Sequence, residues 1–292
     1  MANVLTAERQ MTILNLLVEG TSIRSISRLT GAHLQTILNL LVRFGTDCRE
    51  FLDERMQGLQ LDHLELDEQW TYVAKKQARL TVDERAERWD VGDIFLWTAV
   101  DKETKLVPTF ALGKRSADNA RRFLMDIRRR LAPLGTLEYP TVQISTDGFP
   151  AYGEAVDLAF STYARFGTIT KQYRNASMRY DPGEIISTNR RGVRGITSGQ
   201  RRTICTSHVE RHNLTNRILM KRFNRLTLCF SKKLENLAAA VAMYMAYYNY
   251  CWDHATLGTT PAHAAGLTDH QWSFEELFNV INAQHVGLEQ AS

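Results

Sequence analysis

Three acids border apolar stretches of this chain. Asp67 lies in Leu64-Glu65-Leu66-Asp67-Glu68-Gln69-Trp70, Asp147 closes Val142-Gln143-Ile144-Ser145-Thr146-Asp147, and Glu210 sits in Thr206-Ser207-His208-Val209-Glu210-Arg211-His212-Asn213. Hard divalent ions such as Mg2+ prefer carboxylate oxygens and complete their shells with water and phosphate oxygens. Two such ions about 3.5–4 Å apart can activate an attacking oxygen and stabilise a leaving one. Three carboxylates, one of them embedded in cationic sequence, therefore suit the cutting or joining of phosphodiesters. Rival chemistries lack their residues: no Cys/His cluster at zinc spacing, no Ser-His-Asp set and no Gly-rich phosphate loop is visible. Each acid also has a plainer use: Asp67 as a turn cap, Asp147 as the start of an Asp-Gly-Phe-Pro turn, Glu210 as a helix-start acid favoured by the dipole. Glu68 and Asp101 are the nearest alternatives, and Asp101, in a hairpin turn signal, is assigned a structural role.

The charge distribution points the same way. The chain has 292 residues, a net charge of +4, 44% hydrophobic and 23% charged residues, which is ordinary for a packed globular protein. Yet residues 165–233 hold 16 of the 36 Lys and Arg and only 3 of the 32 Asp and Glu. Segregation of that kind marks a polyanion-binding face, although a charge run also serves as a solvated surface. The apolar runs are too short or too charged to span a bilayer, and no signal peptide pattern opens the chain, so a cytoplasmic protein is expected. The four cysteines (Cys48, Cys205, Cys229, Cys251) are scattered and read as reduced thiols.

The elements that must position the acids follow from periodicity. Ala7 to Glu19, Ser22 to Leu29 and His33 to Phe44 read as three helices. Gly31 sits in the tight turn where a positive φ is needed, and Leu34, Ile37, Leu38 and Leu41 point inward on the third helix. This reads as a helix-turn-helix, in which His33, Gln35, Thr36, Asn39 and Arg43 face outward within reach of bases or phosphates; the plainer alternative is a three-helix packing unit without DNA contact. A helical connector covers residues 51–63. Strands are expected at Leu64 to Asp67, Ile94 to Val100, Leu106 to Gly113, Thr141 to Thr146 and within Tyr163 to Tyr173. Helices are expected over Ser116 to Leu131 and Tyr152 to Phe160, with one long helical region over Ser207 to Cys251. Asn175 to Ser198 reads as a long loop or loose hairpin that contacts DNA through Arg190, Arg191 and Arg194. The order β-β-β-α-β-α-β-α describes a mixed sheet with helices on both faces. If the first and fourth strands are neighbours, Asp67 and Asp147 emerge together at their ends.

Several stretches carry a family resemblance: Leu66-Asp67-Glu68-Gln69-Trp70-Thr71-Tyr72-Val73, Trp97-Thr98-Ala99-Val100-Asp101, Thr146-Asp147-Gly148-Phe149-Pro150-Ala151-Tyr152, Thr206 to Arg217, Phe230-Ser231-Lys232-Lys233-Leu234-Glu235-Asn236 and Thr260 to Leu267. From about Leu64 to Leu267 the chain resembles DDE transposases with a ribonuclease-H-like fold, specifically those of the bacterial insertion sequence 1 family. The resemblance implies an α/β ribonuclease-H-like domain over residues 64–270 with a mixed five-stranded sheet. A helix-turn-helix domain (1–50) precedes it and a C-terminal tail (271–292) follows. It further implies that Asp67, Asp147 and Glu210 bind two Mg2+ ions, for which Mn2+ substitutes. Arg211, Asn213 and Arg217 would then face DNA, and Lys221, Arg222 and Arg225 would neutralise phosphates. The implied partners are double-stranded DNA, as element ends and target, and further copies of the chain in a homodimer or higher assembly, with no membrane. Many members carry a cysteine zinc ribbon ahead of the helix-turn-helix, whereas here residues 1–5 lead straight into helices. One alternative is a ribonuclease-H-like nuclease that hydrolyses but does not join, against which the helix-turn-helix argues; the other is a non-catalytic, sequence-specific DNA-binding regulator, whose usual mark would be a lost acid.

Overall fold

The structure, a computed structural model, describes residues 5–133, 142–174, 184–224 and 227–291. Helix α1 (Ala7–Val18) starts where Thr6 Oγ1 accepts the Arg9 N–H. Helix α2 (Ile23–Thr30) is capped by Ser22 and stops at Gly31, whose φ of +69° meets the expectation for that turn. Helix α3 (Leu34–Arg55) buries Ile37, Leu41, Phe44, Cys48, Phe51 and Leu52 at helical spacing. It therefore continues through residue 50 and takes in residues 51–55 of the expected connector, because its apolar stripe continues. Leu34, expected inside, is 40% exposed: it is the first residue of the helix, at its N-terminal end.

Strand β1 (His63–Val73) is followed by a short helix α4 (Val82–Glu87), then β2 (Gly92–Asp101) and β3 (Phe110–Gly113). Ser116 caps α5 (Ala117–Arg130), and β4 (Val142–Thr146) leads into α6 (Ala151–Phe160). The expected fifth strand is β5 (Ala164–Arg174). A sixth, β6 (Glu184–Arg194), pairs antiparallel with it where a loop or loose hairpin was expected. The sheet is thus six-stranded, not five-stranded, in the order β3-β2-β1-β4-β5-β6, with β4 parallel to both β1 and β5. Mixed pairing flanked by helices is compatible with a ribonuclease-H-like architecture. β1 also runs past Asp67, because Gln69, Thr71 and Val73 keep alternating into the interior.

The expected long C-terminal helix is broken into α7 (Ser207–Leu219) and α8 (Leu234–Tyr250). Between them the backbone extends so that Ser231 bridges Val73. A short helix α9 (Pro261–Ala264) follows. Residues expected as a tail form α10 (Phe274–Ala291), which buries Leu277, Phe278 and Ile281.

The chain forms two compact units. One comprises Met1–Met56, Gln69–Leu96 and Asn213–Ser292, the other Gln57–Glu68 and Trp97–His212. In the first, α3 packs on α8 so closely that a Cβ on Gly45 would lie 2.3 Å from the Ala239 carbonyl oxygen. Phe44 stacks on Phe278 at 5.7 Å between ring centroids, and Phe51 meets Tyr250 at 4.9 Å. Helices α1 and α3 therefore share a core with α8 and α10, and α2 packs on α1 and α3. In the second, Trp97 from β2 packs on Phe123, Phe149 and Tyr152, joining the sheet to α5 and α6. Among the described residues, no helix is long and apolar enough to cross a membrane.

Candidate active site

Parallel pairing of β1 with β4 sets Leu66 beside Thr146, so the next residues, Asp67 and Asp147, fall at the same level. Asp67, Glu68 and Asp147 each offer a carboxylate oxygen within 4.8 Å of the others'. Asp147 follows the last β4 residue, and its Oδ1 accepts the Phe149 N–H at 2.8 Å, which fixes the turn into α6. Its other oxygen takes Arg115 Nη2 at 3.1 Å, while Arg115 Nε donates to Glu68 Oε2 at 2.9 Å. The Arg115 guanidinium also lies 4.2 Å from the Phe149 ring centroid, a cation–π contact that holds it over the acids. Glu68 Oε1 accepts the Tyr152 hydroxyl from α6.

The third expected acid comes from α7. Glu65, fully buried on β1, accepts the backbone N–H groups of His208 (2.8 Å) and Val209 (3.2 Å), and its other oxygen meets His208 Nδ1 at 2.7 Å. A carboxylate on the exposed N–H groups of a helix start satisfies them and complements the dipole. Glu65, Cys205 and His208 also have ligand atoms within 4.8 Å of one another, but the Glu65 oxygens are occupied in anchoring α7. That anchor places Glu210 in the first turn of α7, where it accepts Thr206 Oγ1 at 2.7 Å and pairs with Lys171 of β5. Glu210 is exposed and lies outside the Asp67–Glu68–Asp147 group.

Burial, then the charge of Asp147, raises the Asp67 carboxyl to about 6, with a smaller push from Glu210. Glu68 rises to about 7: burial outweighs the opposing hydrogen bond from Tyr152, and Asp147 adds to the rise. Arg115 also opposes the rise at Glu68 without cancelling it, because its charge is shared with Asp147 and the Glu68 side chain is almost fully buried. Acids crowded and desolvated in this way favour a proton or a cation over separate ionisation. Three carboxylates with Glu210 nearby in charge are also a donor set suited to hard divalent ions.

Glu68 is the acid that sequence reasoning ranked behind its neighbour. Arg115, Tyr152 and Lys171 were not singled out, because no spacing rule ties them to residues on other elements. Asp101 is structural as expected: one carboxylate oxygen accepts the Thr104 N–H and hydroxyl, each at 2.8 Å.

The residues expected to meet DNA are placed unequally. His33, Gln35, Thr36 and Asn39 are exposed, although His33 caps α3 through its ring and Gln35 bonds Asn39 at 2.7 Å. Arg43 is half-buried against Gln10. Arg211 and Lys221 are exposed and Arg217 is half-buried. Asn213 is only 4% exposed, and its carbonyl accepts Gln69 Nε2. Arg222 is turned inward onto Ser231 Oγ and the Asn236 carbonyl, and burial lowers its pKa to about 10. Arg225 lies outside the described residues. On β6, Arg190 donates to the Ile204 carbonyl and Arg194 pairs with Asp157, while Arg191 is exposed.

No protein-family model and no curated protein matches this sequence. Among solved structures, the chain is similar to the Mos1 transposase paired-end complex with left transposon end, at 15% identity and a TM-score of 0.22. The likeness covers 54% of this chain and 58% of that one, so the chain spans well under two thirds of that protein. A likeness that low leaves the site to be read from its own residues.

Proposed function

We propose that this chain is a metal-dependent DNA transposase of the DDE kind, of the insertion sequence 1 family, that cuts at element ends and joins them to target DNA. The observation that carries the reading is the meeting of Asp67 and Asp147 on neighbouring parallel strands, with Glu210 delivered by an α7 anchored on the same strand β1. In this reading Asp67, Asp147 and Glu210 would hold two Mg2+ ions, or Mn2+, which would supply charge stabilisation and activation of the attacking oxygen. Glu68, held by Arg115 and Tyr152, stands beside them as a further carboxyl group.

Hydrolysis at the element end frees a 3′-hydroxyl. That hydroxyl then attacks a target phosphodiester, so one P–O bond forms as another breaks and no ATP is consumed. The chain's own contribution is positioning and charge. Arg115 and Lys171, paired with Asp147 and Glu210, would supply positive charge to phosphate oxygens at the same place. Arg211, Arg217 and Lys221 extend the cationic surface, and His33, Gln35, Thr36 and Asn39 are the groups through which the helix-turn-helix reads element ends. Holding two ends together calls for a dimer or higher assembly on DNA.

The test is Mg2+-dependent nicking and joining of a labelled element-end duplex by the wild type and by Glu210→Gln. The reading expects the wild type to nick and join, and the variant to bind DNA and do neither. An equally active variant removes Glu210 from the triad. Binding without cutting by both proteins favours the non-catalytic regulator.

A further inference from the structure

The second half of β1 carries an aromatic row that the acid chemistry does not use. Trp70 and Tyr72, two residues apart and so on one face, have ring centroids 5.7 Å apart, and Phe230 stacks on Tyr72 at 4.9 Å with planes inclined by 28°. All three rings are half-buried. Beside them opens a cleft of about 440 Å3, lined by Tyr72, Phe230, Lys75, Lys76, Arg79 and Leu228 among others. That volume is within the roughly 300–1,000 Å3 of small-ligand sites.

The backbone is shaped to put the cations there. β1 ends at Val73, and Ala74 turns the chain with a φ of +60°, a left-handed conformation that a non-glycine residue adopts at a cost. The turn is held by the Ala74 N–H on the Ser231 carbonyl (2.9 Å) and the Lys75 N–H on the Val73 carbonyl (2.7 Å). It brings Lys76 Nζ to 5.8 Å from the Tyr72 ring centroid. Lys75 is paired with Glu84, which leaves Lys76 and the exposed Arg79 as the cations facing an incoming anion. Leu228 stands 94% exposed at the rim. The lining residues include three cations and no acid.

We infer that this cleft binds an unpaired nucleotide of a DNA strand, its base stacked on the Tyr72–Phe230 rings and its phosphates held by Lys76 and Arg79. A stacked aromatic pair with Lys76 over one of its rings and Arg79 in the same lining matches a base joined to a phosphodiester, and stacking accepts any base because every base has a π-face. A paired duplex hides its base faces, so the cleft selects single-stranded ends, overhangs or splayed nucleotides. The inference shares only the ligand class, DNA, with the proposed function and uses none of the acids.

The test is fluorescence anisotropy of the full chain with labelled oligothymidine and, separately, with a blunt duplex, at several salt concentrations. Tyr72→Leu with Phe230→Leu keeps apolar volume and removes the π-faces. It is expected to weaken oligothymidine binding on the order of tenfold or more and to leave duplex binding within about twofold. Lys76→Gln with Arg79→Gln, changes at the cleft's edge that keep the fold testable should the first variant misfold, is expected to reduce the single-strand salt slope by about 0.7 per lost phosphate contact. Unchanged oligothymidine affinity and slope in the second variant overturns the site, as does an equal loss for duplex and single strand in the first. Asp147→Asn separates the two readings: single-strand binding retained without cutting supports the cleft whatever becomes of the acid site, and single-strand binding lost with it counts against the cleft.

Discussion

At the scale of single residues, the acids are defined by what surrounds them. Asp67 and Glu68 titrate near 6 and 7, against about 4 in an unfolded chain, so the folded state binds extra protons between those limits. Their contribution to stability is therefore fully present below about pH 4 and is lost as pH rises through 6 and 7. Each two-unit shift corresponds to about 3 kcal/mol. Urea unfolding of the metal-free chain at pH 5 and pH 8 is expected to show that decline, and Glu68→Gln to flatten it. Millimolar Mg2+ is expected to raise the melting temperature at pH 8 in the wild type but not in Asp147→Asn, since a ligand that binds only the folded state stabilises it. Arg115 competes for Asp147 and Glu68. Arg115→Met is accordingly expected to tighten Mn2+ binding in the absence of DNA, read by electron paramagnetic resonance. The same change should slow strand cleavage, on the order of a hundredfold if its charge stabilises the reacting phosphate.

At the scale of elements, two junctions carry most of the organisation. Glu65 of β1 accepts two α7 backbone N–H groups and meets the His208 ring, and hydrogen bonds to a charged acceptor are worth about 1.5–3 kcal/mol each. Glu65→Ala is expected to destabilise the chain by several kcal/mol and to loosen the start of α7. Glu65→Gln keeps an acceptor and is expected to cost less, which a denaturant titration of both variants would separate. The other junction is α3 on α8, where Gly45 permits backbone approach. Gly45→Ala places a methyl 2.3 Å from the Ala239 carbonyl oxygen, and relief of that overlap is expected to cost about 1–3 kcal/mol. Most helices and the first five strands were legible from their periods. β6 was not: Glu184–Arg194 has too few apolar residues to alternate with polar ones, and only its pairing with β5 makes it a strand.

At the scale of the whole molecule, each compact unit is assembled from segments far apart in sequence, with β1, β2 and α7 each contributing to both. The apolar face of α3 is covered by α8 and α10. A fragment of residues 1–56 is therefore expected to lack a cooperative thermal transition by circular dichroism, whereas an autonomous helix-turn-helix domain would show one. By itself the sequence determined the elements with a clear apolar period, the Gly31 turn, the concentration of cations after residue 165 and Asp67, Asp147 and Glu210 as candidate acids. Those features are local, set by side-chain period, backbone sterics and charge count. The tertiary structure alone decided that Asp67 and Asp147 share a level through the β1–β4 register, that Glu68 joins them and that Arg115 and Lys171 occupy the acids. It also turned Arg222 and Asn213 inward, against their expected DNA contacts, and gathered Tyr72, Phe230 and Lys76 around one cleft. Those outcomes depend on which distant segments pack together, and burial, pairing and pKa follow from that packing.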